Sequence, residues 1–195
     1  GKLAGLIAVA DPIKETSKDA IAALHEAGLT VIMATGDNET TARAVARAVG
    51  IDEVRAGVLP EDKKALVDEL HRKGRRVAMA GDGVNDAPAL AAADVGIAMG
   101  AAGSDVALET ADVALMADNL DTLPFAVGLS RATHRNIRQN LWVSLGVVAI
   151  LIPATLFGLG IGPAIFLHEG STLIVVANAL RLLAYKDTQL SSRPG

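Results

Sequence analysis

Two acidic, glycine-bearing loops stand directly after short apolar runs. The segment 31–34 leads into Thr35-Gly36-Asp37-Asn38, and 77–80 leads into Gly81-Asp82-Gly83-Val84-Asn85-Asp86. Glycines beside acids let backbone N–H groups come close to a phosphate. Asp82 and Asp86 put two carboxylates within a few residues, a hard oxygen environment suited to Mg²⁺. Thr35 can donate a hydroxyl hydrogen bond to a phosphoryl oxygen, and Lys63, just after Pro60, can bring positive charge to the same group. The bland alternatives are that Asp-Gly loops are simple turns and that a lysine on an amphipathic helix is solvated. A second polar group, His168-Glu169-Gly170-Ser171-Thr172, interrupts an otherwise apolar stretch. Ionisable residues in such a stretch are costly and usually mark an ion path. The alternative there is an interfacial pair that reaches water.

The elements around the loops alternate. Apolar runs at 3–10, 30–34, 75–80, 94–99 and 112–116 read as strands. Segments 14–27, 38–50 and 61–73 repeat apolar residues at helical spacing and stop at Gly28, Gly50 and Gly74, with Leu66, Val67 and Leu70 inward in the third. Such alternation predicts an α/β fold, a mostly parallel sheet with helices on both faces. In that arrangement ligands bind beyond the carboxyl ends of the strands, so the two loops are expected to share a crevice. Residues 120–140 read as a long helix that gains Arg131, Arg135 and Arg138 toward its end.

Charge then almost vanishes, with Glu169 the one Asp, Glu, Lys or Arg in 141–180. Residues 141–161 and 163–185 are each long enough to cross a hydrocarbon core of about 30 Å at about 1.5 Å per residue. Arg131, Arg135, Arg138, Arg181 and Lys186 flank this pair, and the short turn between the spans is uncharged, so both ends are expected in the cytoplasm. Pro153 is expected to kink the first span. The 195 residues are 51% hydrophobic and 3% aromatic, with net charge −4, which gives no basic face for a nucleic acid. There is no cysteine, so disulfides and thiolate metal sites within the chain are excluded. His25, His71 and His134 lack metal-ligand spacing and read as surface residues.

The strings TGDN at 35–38 and GDGVNDAPAL at 81–90, with Asp11-Pro12, PEDK at 60–63 and GSDVA at 103–107, resemble the phosphorylation domain of P-type ATPases, a partial haloacid-dehalogenase-like (Rossmann-type) fold. NIRQNL (136–141) and NALRLL (178–183) resemble the heavy-metal branch, and HEGST (168–172) resembles the motif of its cobalt/zinc-type subgroup. The resemblance implies an ATP-driven efflux pump working through a Mg²⁺-dependent aspartyl phosphate. Asp82 and Asp86 would hold Mg²⁺, Thr35 and Lys63 the aspartyl phosphate, and Gly36 and Asp37 the loop near ATP. His168, Glu169 and Thr172 would face a divalent transition-metal ion of Co²⁺ or Zn²⁺ type, since imidazole and carboxylate suit borderline ions better than Cu⁺.

The expected organisation is 1–119 phosphorylation domain, 120–140 linking helix, 141–185 two transmembrane helices in the cell membrane, and 186–195 a cytoplasmic tail. The family's D-K-T-G-T string with its nucleophilic aspartate is absent from these residues. The resemblance therefore implies a C-terminal fragment, inactive by itself and partnered by the missing N-terminal portions of the same pump. Its sheet would carry a gap or exposed edges. A non-catalytic remnant and a membrane-tethered phosphatase-like domain are the rival readings.

Overall fold

A computed structural model describes residues 13–81, 85–100, 109–116 and 119–185. The expected strand at 3–10, Asp82 and GSDVA at 103–107 lie outside them. The chain divides into two compact units after Pro124.

In the first unit, α1 (Thr16–Glu26), α2 (Glu39–Val49), α3 (Pro60–Arg72) and α4 (Ala87–Ala92) alternate with five strands, β1 (Ile32–Ala34), β2 (Glu53–Arg55), β3 (Ala78–Gly81), β4 (Val95–Met99) and β5 (Val113–Leu115). Local chemistry sets the helix ends. The Asn38 side chain accepts the Thr41 N–H at 2.9 Å to start α2, and Gly50, at φ 85°, closes it. Pro60 opens α3, and the Asp62 carboxylate accepts the Leu59 N–H at 3.1 Å. Apolar spacing then fixes the inward faces: Ala42, Ala46 and Val49 on α2, Val67 and Leu70 on α3. Leu66, expected inward, is only half-buried. It turns toward Arg55 and Val58, with which it lines a shallow cleft.

All described pairings are parallel, β1 with β2 and β3 with β4 with β5. Among the described residues these form two separate sheets, so the single sheet expected from the alternation is present in two pieces. The exposed Ala78 and Ala80 on β3 show that this strand is not fully covered. Strand β2 has no counterpart in the sequence reading. Val54 is its only apolar residue, and its place comes from the ladder Ile32↔Glu53, Met33↔Val54 and Ala34↔Arg55.

Close packing of α4 on β4 depends on Gly96. A Cβ there would stand 2.7 Å from the carbonyl oxygen of Leu90, a side chain 1% exposed. Backbone cannot yield cheaply, so Gly96→Ala is expected to destabilise the α/β unit by about 1–3 kcal/mol. A lowered thermal unfolding midpoint checks this, and an unchanged midpoint would count against it.

His25 and His71 are more than surface residues. The segments HEAGLTV (25–31) and HRKGRRV (71–77) share the spacing His-x-x-Gly-x-x-Val, and the fold uses both alike. Asp52 accepts from Val31 N–H at 2.8 Å and lies 2.8 Å from His25 Nε2. Asp94 accepts from Val77 N–H at 2.8 Å and lies 3.0 Å from His71 Nε2. Each aspartate thus ties the entry of one strand to the end of the preceding helix. The backbone N–H first, helped by the histidine, holds both carboxyls below the ordinary carboxylate range. A depressed folded-state pKa gives stability that is complete above that range and lost as pH falls through and below it. Asp52→Asn combined with Asp94→Asn should therefore lower stability at neutral pH and flatten its loss in acid. Thermal unfolding across that range checks it; a double variant with the parent's pH profile would refute it.

The second unit holds α5 (Thr122–Leu156, 35 residues), which begins just before the division, and α6 (Ile161–Leu180, 20 residues), followed by a 3-10 turn, Arg181–Ala184. Residues 122–140 and most of the first apolar span, to Leu156, are thus parts of one helix, which runs through Pro153. Thr155 Oγ donates to the carbonyls of Leu151 and Ile152 at 3.0 and 2.8 Å. Gly158, at φ 101°, ends the run, and α6 starts two residues before Pro163, which sits harmlessly in its first turn. Leu156, Phe157, Ile161, Phe166 and Leu173 are largely exposed.

Candidate functional site

The first candidate site gathers where β1 and β3 end and α3 and α4 begin. Thr35 follows β1. Its N–H donates to Arg55 O at 3.0 Å, and its own carbonyl accepts the N–H of Val58 at 3.0 Å. Val58 immediately precedes Leu59, the cap of α3, so this bond holds the Thr35 loop to the start of the helix that carries Lys63. Within the loop, Thr35 Oγ accepts the Asp37 N–H at 3.1 Å, and Asp37 O accepts from Gly57 N–H at 2.8 Å. Gly36 and Asp37 are exposed.

Lys63 lies in the first turn of α3, where its solvated alternative fails. Its Nζ donates to Asp86 Oδ1 at 2.6 Å, with side-chain exposures of 18% and 8% for the two residues. Asp86 caps α4 through its carbonyl, which accepts the N–H groups of Ala89 and Leu90 at 2.9 and 2.8 Å. The same carboxylate presses on the end of β3: a Cβ on Gly81 would stand 2.3 Å from Asp86 Oδ2. Glycine is required there by this close approach rather than by its φ. A short, shielded, charge-assisted bond of this kind is a strong one. Chemically, the Lys63–Asp86 pair offers an ammonium at a helix start and a hard carboxylate, and the Thr35 hydroxyl stands on the loop bonded to Val58 just before that helix. These donors fit Mg²⁺ and a phosphoryl group together. Asp82, the residue expected to be central for Mg²⁺, lies outside the described residues.

The second candidate lies on α6. His168, Glu169 and Thr172 are exposed on the helix, whereas Ser171 is buried. The His168 carbonyl accepts from Ser171 Oγ at 2.6 Å and from Thr172 Oγ at 3.3 Å. Among the described residues no group of three or more His, Cys, Asp or Glu side chains is placed to hold a metal. His168 and Glu169 by themselves therefore do not form a closed coordination site. The sequence reading missed Asp52 and Asp94 as histidine partners, for which the repeated His-x-x-Gly-x-x-Val spacing was the available signal.

Residues 1–94 match the family model of haloacid dehalogenase-like hydrolases. A copper-transporting P-type ATPase of Rhizobium leguminosarum bv. viciae is 57% identical over 190 residues, which are 93% of this chain and 22% of that protein. A probable cadmium-transporting ATPase of Listeria monocytogenes is 48% identical over 188 residues, 95% of this chain and 26% of that protein. Among solved structures, a zinc-transporting PIB-type ATPase in the E2.Pi state superposes with a TM-score of 0.80 at 46% identity, covering 89% of this chain and 28% of that one. The chain thus spans about a quarter of the length of the proteins it matches. Its fold is haloacid dehalogenase-like, parallel sheets with helices, followed by two long apolar helices.

Proposed function

Since the chain is a homologue of the heavy-metal P-type ATPases, matched over both its α/β unit and its helix pair, we propose that it forms part of the ATP-driven engine and one membrane hairpin of a heavy-metal efflux pump. The observation that carries this is the shielded Lys63–Asp86 pair in a haloacid dehalogenase-like fold, its helix start tied to the Thr35 loop through Val58. The phosphorylated aspartate and the nucleotide-binding portion come, in this reading, from segments that these 195 residues do not contain. The Lys63 ammonium, held 2.6 Å from Asp86 Oδ1, donates to a phosphoryl oxygen in this reading. The Thr35 hydroxyl fixes a second oxygen, and Gly36 and Asp37 shape the loop near nucleotide. Asp82 and Asp86 would hold Mg²⁺, which would supply positive charge to the phosphoryl group.

The helix pair crosses the bilayer of the cell membrane in this reading, with its arginine-flanked ends on the cytoplasmic side. Two lines favour this: the exposed apolar surface of α5 and α6, and their length. The cargo we propose is a divalent transition metal of cobalt or zinc type, approached through His168, Glu169 and Thr172. Relatives named for copper and for cadmium match this chain at 57% and 48% identity, so identity alone does not select the metal. The His-Glu pair favours a borderline ion over Cu⁺ on ligand chemistry.

The test uses the complete pump in membranes, incubated with labelled ATP and Mg²⁺ in the presence of each metal in turn. We expect an acid-stable phosphoenzyme that Asp82→Asn abolishes and that depends on Co²⁺ or Zn²⁺. No phosphoenzyme with any metal would overturn the pump assignment; one supported by Cu⁺ alone would overturn the cargo.

A further inference from the structure

Two of the family-like strings, NIRQNL and NALRLL, have no task in the chemistry above, yet the fold brings their asparagines together. Asn136 and Asn140 lie one turn apart on α5, and Asn178 is near the end of α6. Asn178 Nδ2 donates to Asn140 Oδ1 at 2.8 Å, and Asn140 Nδ2 to Asn136 Oδ1 at 3.0 Å. Asn136 Nδ2 then donates to the backbone carbonyl of Asn178 at 2.6 Å. The three bonds run head to tail and close on residue 178. Asn136 is 7% exposed. Gln139 Oε1 accepts from Asn178 Nδ2 at 3.3 Å, and Arg181 donates to Asn178 Oδ1 at 3.1 Å, which braces the ring from α5 and from the turn after α6.

The ring answers a particular need. The last carbonyls of an α-helix have no partner one turn ahead. At Asn178 the α-helix is giving way to the 3-10 turn Arg181–Ala184, and the N–H of Arg181, the cap of α6, is placed on that carbonyl. Its second lone pair is taken by Asn136, across the helix pair. In apolar surroundings an unpaired amide is costly, so three amides that satisfy one another can sit where single ones could not. Each bond also crosses, or is propped by one that crosses, between α5 and α6. Sliding either helix by one residue along its axis would break the ring.

We propose that Asn136, Asn140 and Asn178 form an interhelical clamp that locks the register of α5 against α6 and caps the end of α6. This goes beyond the proposed pump function and requires no particular cargo. The clamp sits next to the arginine-flanked end of the hairpin, about 15 Å along α6 from His168 at about 1.5 Å per residue. It thereby holds one end of that helix while leaving the histidine end unclamped.

These 195 residues contain no cysteine, which allows a clean test on them in lipid-detergent micelles. Spin labels on cysteines replacing Ile137 and Leu183, 58% and 85% exposed, report the separation of the two elements beside the ring. The otherwise unaltered chain should give one narrow distance. Asn140→Leu and Asn178→Leu should each shift and broaden it. Their combination should broaden it no further, because one ring is opened only once. Helical circular dichroism should stay unchanged, since a clamp between helices leaves each helix formed. A narrow distance retained in both single variants, effects that add, or loss of helicity in a single variant would each overturn the clamp.

Discussion

Lys63→Met is expected to destabilise the α/β unit by about 3–5 kcal/mol, the usual cost of leaving one member of a shielded ion pair alone. Lys63 and Asp86 approach to 2.6 Å with little solvent around either. Removing the lysine strands the carboxylate, and at 8% side-chain exposure Asp86 has less access to water than Lys63 at 18%. Lys63→Met should for that reason cost more than Asp86→Ala, even though methionine fills much of the same apolar volume. The neutral pair Lys63→Met with Asp86→Asn should recover most of the loss, because asparagine keeps its shape against Gly81 and no charge is left buried. Thermal unfolding of the three variants measures this. In the complete pump the neutral pair should still form no phosphoenzyme, since the ammonium itself is gone. That divides structural from chemical need: a neutral pair that regains phosphorylation would show the lysine to be a fold element only. Equal costs for the two single variants would refute the burial argument.

His168→Ala in the complete pump is expected to lower the apparent affinity for the stimulating divalent metal by about tenfold or more, about 1.4 kcal/mol per decade. Glu169→Gln should act in the same direction, because it removes charge from an apolar helix where only a cation repays its presence. Thr172→Val should have a smaller effect. Its hydroxyl already donates to the His168 carbonyl at 3.3 Å, so it offers a metal only an oxygen lone pair. The readout is ATP hydrolysis against metal concentration. Metal stimulation unaltered in both His168→Ala and Glu169→Gln would remove these residues from the ion path. Only two charged or imidazole ligands come from this helix, so further ligands must come from elsewhere in the pump if the proposal holds.

Much of the fold was legible because it is written in local rules. Asn38, Gly50, Pro60 and Gly74 mark helix ends through backbone chemistry that acts over a few residues, and the observed helices start and stop beside them. Strand β2 escaped because its three residues carry no periodic apolar signal; its stability comes from hydrogen bonds to β1, which no local pattern records. The boundary between linking helix and first span vanished for a related reason. A change from charged to apolar residues alters what surrounds a helix without interrupting its backbone bonds.

The candidate site divides the same way. Thr35, Lys63 and Asp86 could be proposed as candidates from residue type and position, because phosphate and magnesium chemistry would ask for such groups near strand and helix ends. That Lys63 belongs to Asp86, 23 positions away, and that Gly81 must be small to admit that carboxylate, are facts of three-dimensional approach. The asparagine ring and the two histidine-aspartate ties belong with them. What the sequence determined alone is the succession of elements and the chemical kit at their ends, since propensity, capping and hydropathy act between near neighbours. The tertiary structure decided which distant polar groups satisfy one another, because that choice depends on distances set only once the helices and strands have packed.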